Sequence, residues 1–171
     1  MVGDGYTIRM AEPDDVPALC DLKWMFAVHE GSTDVVRASV ADWRRDMFGP
    51  QPHFFALVAE IGGVVGSGVV GMATVAEKFC PGWVGPLCTV DDLFVMPEHR
   101  RHGLGKALLA HASAEAIRRG SPFIELTVRE GNPALQLYGR VGFKRVPGAV
   151  TLVLAGDELA TLAGPAVAKS A

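Results

Sequence analysis

Apolar positions along this chain recur with two periods, and the switches between them mark out the elements. Residues 6–10 carry a short strand pattern that leads into PDDVPALCDLKWMFAVHEG, where Val16, Leu19, Leu22 and Phe26 return at the spacing of one helix face. Asp14 and Asp15 offer N-cap oxygens ahead of this helix, and Gly31 ends it. A second, shorter helix is predicted over 39–48. Residues 54–60 read as a strand, Gly62-Gly63 as a hairpin turn, and 64–75 as the returning strand. Pro81, Gly82, Gly85 and Pro86 predict a loop over 77–86. A further apolar strand over 87–95 is stopped by Pro97. Residues 102–119 form the strongest amphipathic helix, with Leu104, Leu108, Leu109, Ala112, Ala116 and Ile117 along one face and Gly120 at its end. A strand over 123–128, a helix over 133–141 capped by Gly142, and short strands over 143–146 and 150–154 complete the body. An Ala-rich tail follows, frayed apart from a helical turn over 158–162. The order βααβββαβαββ, free of internal repeats, predicts an α+β fold in which one sheet carries helices on its faces.

Composition narrows this picture. A chain of 171 residues with 49% apolar and 20% charged residues fits one globular domain over 1–171, with its core over 6–155 and a tail over 157–171. The net charge of −3 gives no general attraction for nucleic acid or for an anionic membrane. The longest apolar run, 64–75, is broken by glycines and is too short to cross a bilayer. Three widely spaced cysteines form no CxxC pair, so neither a metal site nor a redox motif is expected. MVGDGYTIRM lacks the basic start and apolar run of a secretion signal, and the expected location is cytoplasmic.

The chemistry concentrates in DDLFVMPEHRRHGLGKALLAH, residues 91–111: a buried strand, a proline stop, a basic glycine-containing turn and a helix. Such a turn gathers the backbone N–H groups of Arg101, His102, Gly103, Leu104, Gly105 and Lys106 at a helix N-terminus, where a pyrophosphate is stabilised. Gly103 and Gly105 leave room for the ligand, and Arg100, Arg101 and Lys106 add charge. A P-loop is excluded because Ala107 stands where Ser or Thr would hold magnesium, and a dinucleotide fingerprint because Leu108 replaces its third glycine. The GxGxxG spacing over 66–71 lies in an apolar strand with no helix after it.

What remains is [R/Q]-x-x-G-x-[G/A], filled by Arg100, Gly103 and Gly105 after a strand ending in Val95-Met96-Pro97. Here the chain resembles the GNAT acetyltransferases. Residues 132–143, NPALQLYGRVGF, resemble that superfamily's second signature. AVHE at 27–30, ALVAE at 56–60, WVG at 83–85 and DDLFVMPEHR at 91–100 are similar to the diamine (spermidine/spermine) and thialysine acetyltransferases.

The resemblance, which extends over 6–154, implies a GNAT fold: a central mixed, mostly antiparallel sheet of six to seven strands flanked by about four helices. It implies acetyl-CoA as donor and a primary amine as acceptor, a small polyamine or an amino-acid-like amine, attacking directly in a ternary complex. Leu93, Phe94 and Val95 would pair with pantetheine, and the Val95 N–H would stabilise the thioester carbonyl. Tyr138 would return a proton to the departing thiolate, and Asn132 would contact the cofactor or order the loop before its helix. Asp91 matches a glutamate of the diamine-acetylating relatives and is the candidate base, directly or through water, with Asp92 as the alternative. His29 and Glu30 match a helix end that lines the amine pocket, and Glu125 is a further acidic candidate. Each carboxylate reads equally well as an ordinary solvated or strand-end group. Other acceptors (a protein N-terminus, a lysine side chain, an aminoglycoside) and a non-catalytic CoA sensor stay open. The resemblance also implies a homodimer, while the charge balance and the lack of any nucleic-acid signature beyond Arg100-Arg101 predict no nucleic-acid or membrane partner.

Overall fold

The computed structural model describes residues 5–62, 68–79, 81–82, 85–148, 154 and 156–163. Five strands form one sheet in chain order: β1 (Tyr6–Met10), β2 (Phe54–Ile61), β3 (Val69–Phe79), β4 (Pro86–Val95) and β5 (Ile124–Leu126). The first four pair antiparallel, and β5 joins β4 in parallel. The helices are α1 (Val16–Glu30), α2 (Val40–Phe48), α3 (Leu104–Arg118), α4 (Leu135–Val141) and α5 (Gly156–Ala163).

Both faces of the sheet are covered, which is why β2 reads as an unbroken apolar run rather than an alternating one. Leu57 and Ala59 pack with Leu104, Leu108, Leu109, Ala112 and Ala116 of α3 on one face. Ala56 and Val58 pack with Val16, Leu19 and Leu22 of α1 and Trp43 and Met47 of α2 on the other. Ser39 caps α2 in a reciprocal box with Asp42, whose carboxyl is held down to about 2 by the Ser39 side chain, the Ser39 N–H and Arg45.

Several expectations are corrected. Asp15 does not cap α1 with its side chain; it is fully buried and takes a two-pronged contact from Arg9 at 2.6 and 2.9 Å. Arg9 also donates to Glu60 at 2.8 Å, so one guanidinium satisfies two buried carboxylates. The loop predicted over 77–86 is strand at its two ends, since Glu77, Lys78 and Phe79 pair with Cys88, Leu87 and Pro86. Pro86 is tolerated there because it opens its strand. Residues 143–146 form no strand: β5 is only three residues long, Val146 is 75% exposed, and Phe143 packs edge-on against Tyr138 instead. The predicted strand over 150–154 and the start of the one over 64–75 fall mostly outside the described residues. The described sheet therefore has five strands rather than six or seven, with α5 a fifth helix where a single turn was expected.

Candidate active site

The site begins with an irregularity in β4. Thr74 of β3 faces Asp92 while the next residue, Val75, faces Val90, so Asp91 is an extra residue with nothing opposite. Such a bulge shifts the side-chain alternation by one position. Before it, Cys88 and Val90 face α3; after it, Leu93 and Val95 do. Asp92 and Phe94 are turned toward the α1 face.

Strand β5 accompanies β4 only from Cys88 to Val90. From Asp91 to Val95 that edge of β4 opens on a cleft of about 820 Å³. The Met96 N–H donates to Val70 on the β3 side at 2.9 Å, so the neighbouring Val95 N–H and C=O point to the open edge. Arg100 reaches this edge: its Nε donates to the Val95 carbonyl at 2.9 Å, and its guanidinium stands 5.6 Å from the Phe94 ring centroid.

One end of the cleft is the turn before α3. Arg101 has φ +68° and Gly103 +79°, a pair of left-handed residues that curls the chain around its own amides. Arg101 is the one described non-glycine residue with positive φ, a conformation that costs about 1 kcal/mol. Among the described residues, the N–H groups of 101–106 donate to no backbone carbonyl, and the first helical bond runs from Ala107 to Gly103 at 3.0 Å. A Cβ on Gly105 would come within 3.2 Å of a Leu137 methyl, so glycine there also sets how closely α3 and α4 approach. These amides, with Arg100, Arg101 and Lys106 on the same wall, suit a diphosphate.

The other end holds the ionisable groups. Tyr138 of α4 lines the cleft, and burial, with Glu30 nearby, raises its pKa, so the phenol keeps its proton at neutral pH. Asp91 opens to the cleft; loss of water among the walls and the charge of Asp92 raise its pKa, with Lys23 partly opposing. Asn132 organises the start of α4, accepting from the Ala134 N–H at 2.8 Å and extending its amide to Glu30 at 3.4 Å.

Fourteen of the seventeen residues singled out in the sequence line this one cleft: His29, Glu30, Asp91, Leu93, Phe94, Val95, Arg100, Arg101, Gly103, Leu104, Gly105, Lys106, Asn132 and Tyr138. Three lie elsewhere. His102 stacks near Tyr6, ring centroids 5.4 Å apart. Asp92 is 7% exposed and receives Lys23 at 2.6 Å and the Thr74 hydroxyl at 3.1 Å. Glu125 pairs with Lys78 and accepts from Thr89 at 3.2 Å. Sequence reading missed Lys23, Arg129 and the wall residues Phe26 and Leu137. Each meets its partner only through the fold, and no local motif marks it.

The model of the Acetyltransferase (GNAT) family matches residues 16–143. Thialysine N-epsilon-acetyltransferase of Sus scrofa is 29% identical over 165 residues, covering 92% of this chain and 96% of the relative. Streptothricin acetyltransferase of Streptomyces lavendulae is 30% identical over 146 residues, covering 84% of this chain and 65% of the relative. Among solved structures, an aminoglycoside acetyltransferase from an uncultured soil metagenomic sample, in complex with trehalose, superposes with a TM-score of 0.75 at 18% identity. It covers 89% of this chain and 97% of that one.

Proposed function

Because the chain belongs to the acetyltransferase (GNAT) family, we propose that this N-acetyltransferase moves an acetyl group from acetyl-CoA to a small primary amine by direct attack. The observation that carries the reading is the continuity of the cleft. A built anion cradle at the mouth of α3 and the pair Asp91 and Tyr138 open on the same space, along an unpaired strand edge. Acetyl-CoA supplies an acyl thioester, already activated toward an amine.

The protein's own groups divide the work. The amides of 101–106 with Arg100, Arg101 and Lys106 hold the diphosphate, and the edge of Leu93 to Val95 takes the pantetheine arm as an added strand. The Val95 N–H is the donor left to polarise the acyl carbonyl. Asp91 accepts the proton that the ammonium must lose before it attacks, directly or through water. Tyr138, held protonated, supplies the proton that the departing sulfur requires. Asn132 and Glu30 hold α4 and α1 together so that Tyr138 faces the cleft. Arg129 donates to the Glu30 carbonyl oxygen at 3.1 Å and strengthens the same joint.

The likeness to the pig thialysine enzyme supports a lysine-like acceptor. Free thiols at Cys20 and Cys88 support a cytoplasmic setting, and the exposed Trp24 and Val28 on α1 support a homodimer. Among the described residues no helix is long and apolar enough to cross a membrane. The test is a panel of primary amines with acetyl-CoA, following released thiol. Turnover of small amines, lysine-like amino acids included, is expected; activity confined to peptides or proteins overturns the reading.

A further inference from the structure

The four acidic residues singled out in the sequence differ in one respect that no sequence motif foreshadows. Three of the four are already met by a cation of the chain itself. Asp92 receives the Lys23 ammonium at 2.6 Å, Glu125 is paired with Lys78, and Glu30 has the Arg129 guanidinium at 3.9 Å. Among the described residues, Asp91 has neither a hydrogen-bond nor an ion-pair partner.

Of these cations, Lys23 is the one that pairs with the chain neighbour of Asp91. It rises from α1, crosses to β4 and ends on the bulge neighbour of Asp91, with its ammonium 5.7 Å from the centroid of Phe26, which lines the cleft. The two bulge carboxylates together carry two negative charges, and Lys23 reduces them to one. One ammonium delivered to Asp91 then completes neutrality. A second ammonium a few carbons away then gains nothing from Asp92, whose charge Lys23 already neutralises, and is repelled by the nearby Lys23 charge across a partly desolvated site.

We propose that Lys23 is a specificity-determining residue that, by neutralising Asp92 from within, restricts the cleft to acceptors with a single ammonium near the reacting end. The proposal rests on the amine-acetylating reading given above and narrows it against polycations. Lys23 touches neither the acceptor nor the donor; it acts through the charge that Asp92 would otherwise present.

The experiment compares butylamine with putrescine, which share a carbon chain and differ by one ammonium. Both are measured as acetyl acceptors and as ligands of the protein saturated with coenzyme A. The native protein is expected to favour butylamine in kcat/KM. Lys23→Met should move the ratio toward putrescine by about tenfold, chiefly through KM. Asp92→Asn, which leaves the Lys23 charge uncompensated, should move it by a similar factor the other way, and Lys23→Arg should keep the native ratio. Because Asp92→Asn leaves a partly exposed lysine rather than a buried lone carboxylate, it tests the proposal even if Lys23→Met does not fold. A purely structural ion pair would depress both amines equally, and a ratio unmoved in Asp92→Asn and Lys23→Met overturns the proposal. Failure of both amines to bind the native protein or to be acetylated by it overturns instead the amine reading beneath it.

Discussion

Asp91 and Tyr138 are both groups whose surroundings favour the protonated form, and that shared tilt has opposite consequences for their work. In the proposed reaction the tilt keeps Tyr138 loaded as an acid at neutral pH. Replacing it by Phe removes the proton and little else, since the ring still packs on Phe143. Tyr138→Phe is expected to lower kcat by about a hundredfold or more while leaving acetyl-CoA affinity nearly unchanged, read by steady-state kinetics beside equilibrium binding. An unchanged kcat removes Tyr138 from the acid role. Asp91 must lose its proton to act as a base, so kcat/KM should rise with pH through a value above the ordinary 3.8. The same displacement has a sign for stability. A carboxyl whose pKa is raised on folding contributes most below its unfolded value, and the contribution is lost as pH rises through the folded value. Asp91→Asn is therefore expected to raise Tm at neutral pH, with a gain that shrinks on acidification, while turnover falls. A lowered Tm at neutral pH contradicts this. Both residues were legible because they stand in or beside recognisable strings. Lys23 and Arg129 were not, because a partner 69 or 99 residues away leaves no local trace.

At the scale of elements, period and punctuation carried most of the information. The helices α1, α2 and α3 appear where the 3.6-residue spacing and flanking glycines or serine placed them, to within two residues. Strand extents were harder to read. Glu77, Lys78 and Phe79 are exposed edge-of-sheet residues, so their polarity resembles loop although the ladder to Cys88, Leu87 and Pro86 is intact. The string at 143–146 looks like a strand but lacks a described partner, and pairing rather than propensity decides such short pieces. The bulge at Asp91 was hidden because DDLFV fits either alternation, and only the β3 register reveals the extra residue. The turn before α3 shows the reverse: its glycines announced it. At φ +79° a valine in place of Gly103 is strained by sterics alone, and it adds bulk at a residue that lines the cleft. Helix α3 keeps its buried contacts through Leu104, Leu108 and Ala112, so Gly103→Val is expected to fold yet lose affinity for coenzyme A. Such affinity, if retained by the folded variant, contradicts the cradle.

For the molecule as a whole, a sheet covered on both faces followed from the order of elements and the long apolar strands. The position of the cleft followed from a different fact, the short reach of β5 beside β4, which leaves the five residues of β4 after Val90 without a strand partner on that side. A single opening thus joins the amides of α3, the edge of β4 and the ends of α1 and α4, and ligand binding there should stabilise the entire fold. A ligand at a hundred times its dissociation constant adds about 2.7 kcal/mol to the native state. The most direct measurement is a calorimetric titration of the native protein with coenzyme A, beside Gly103→Val as reference. The cradle at the mouth of α3 predicts saturable one-to-one binding with a raised Tm for the native protein, and neither for the variant. No heat and no thermal stabilisation in the native protein would contradict it.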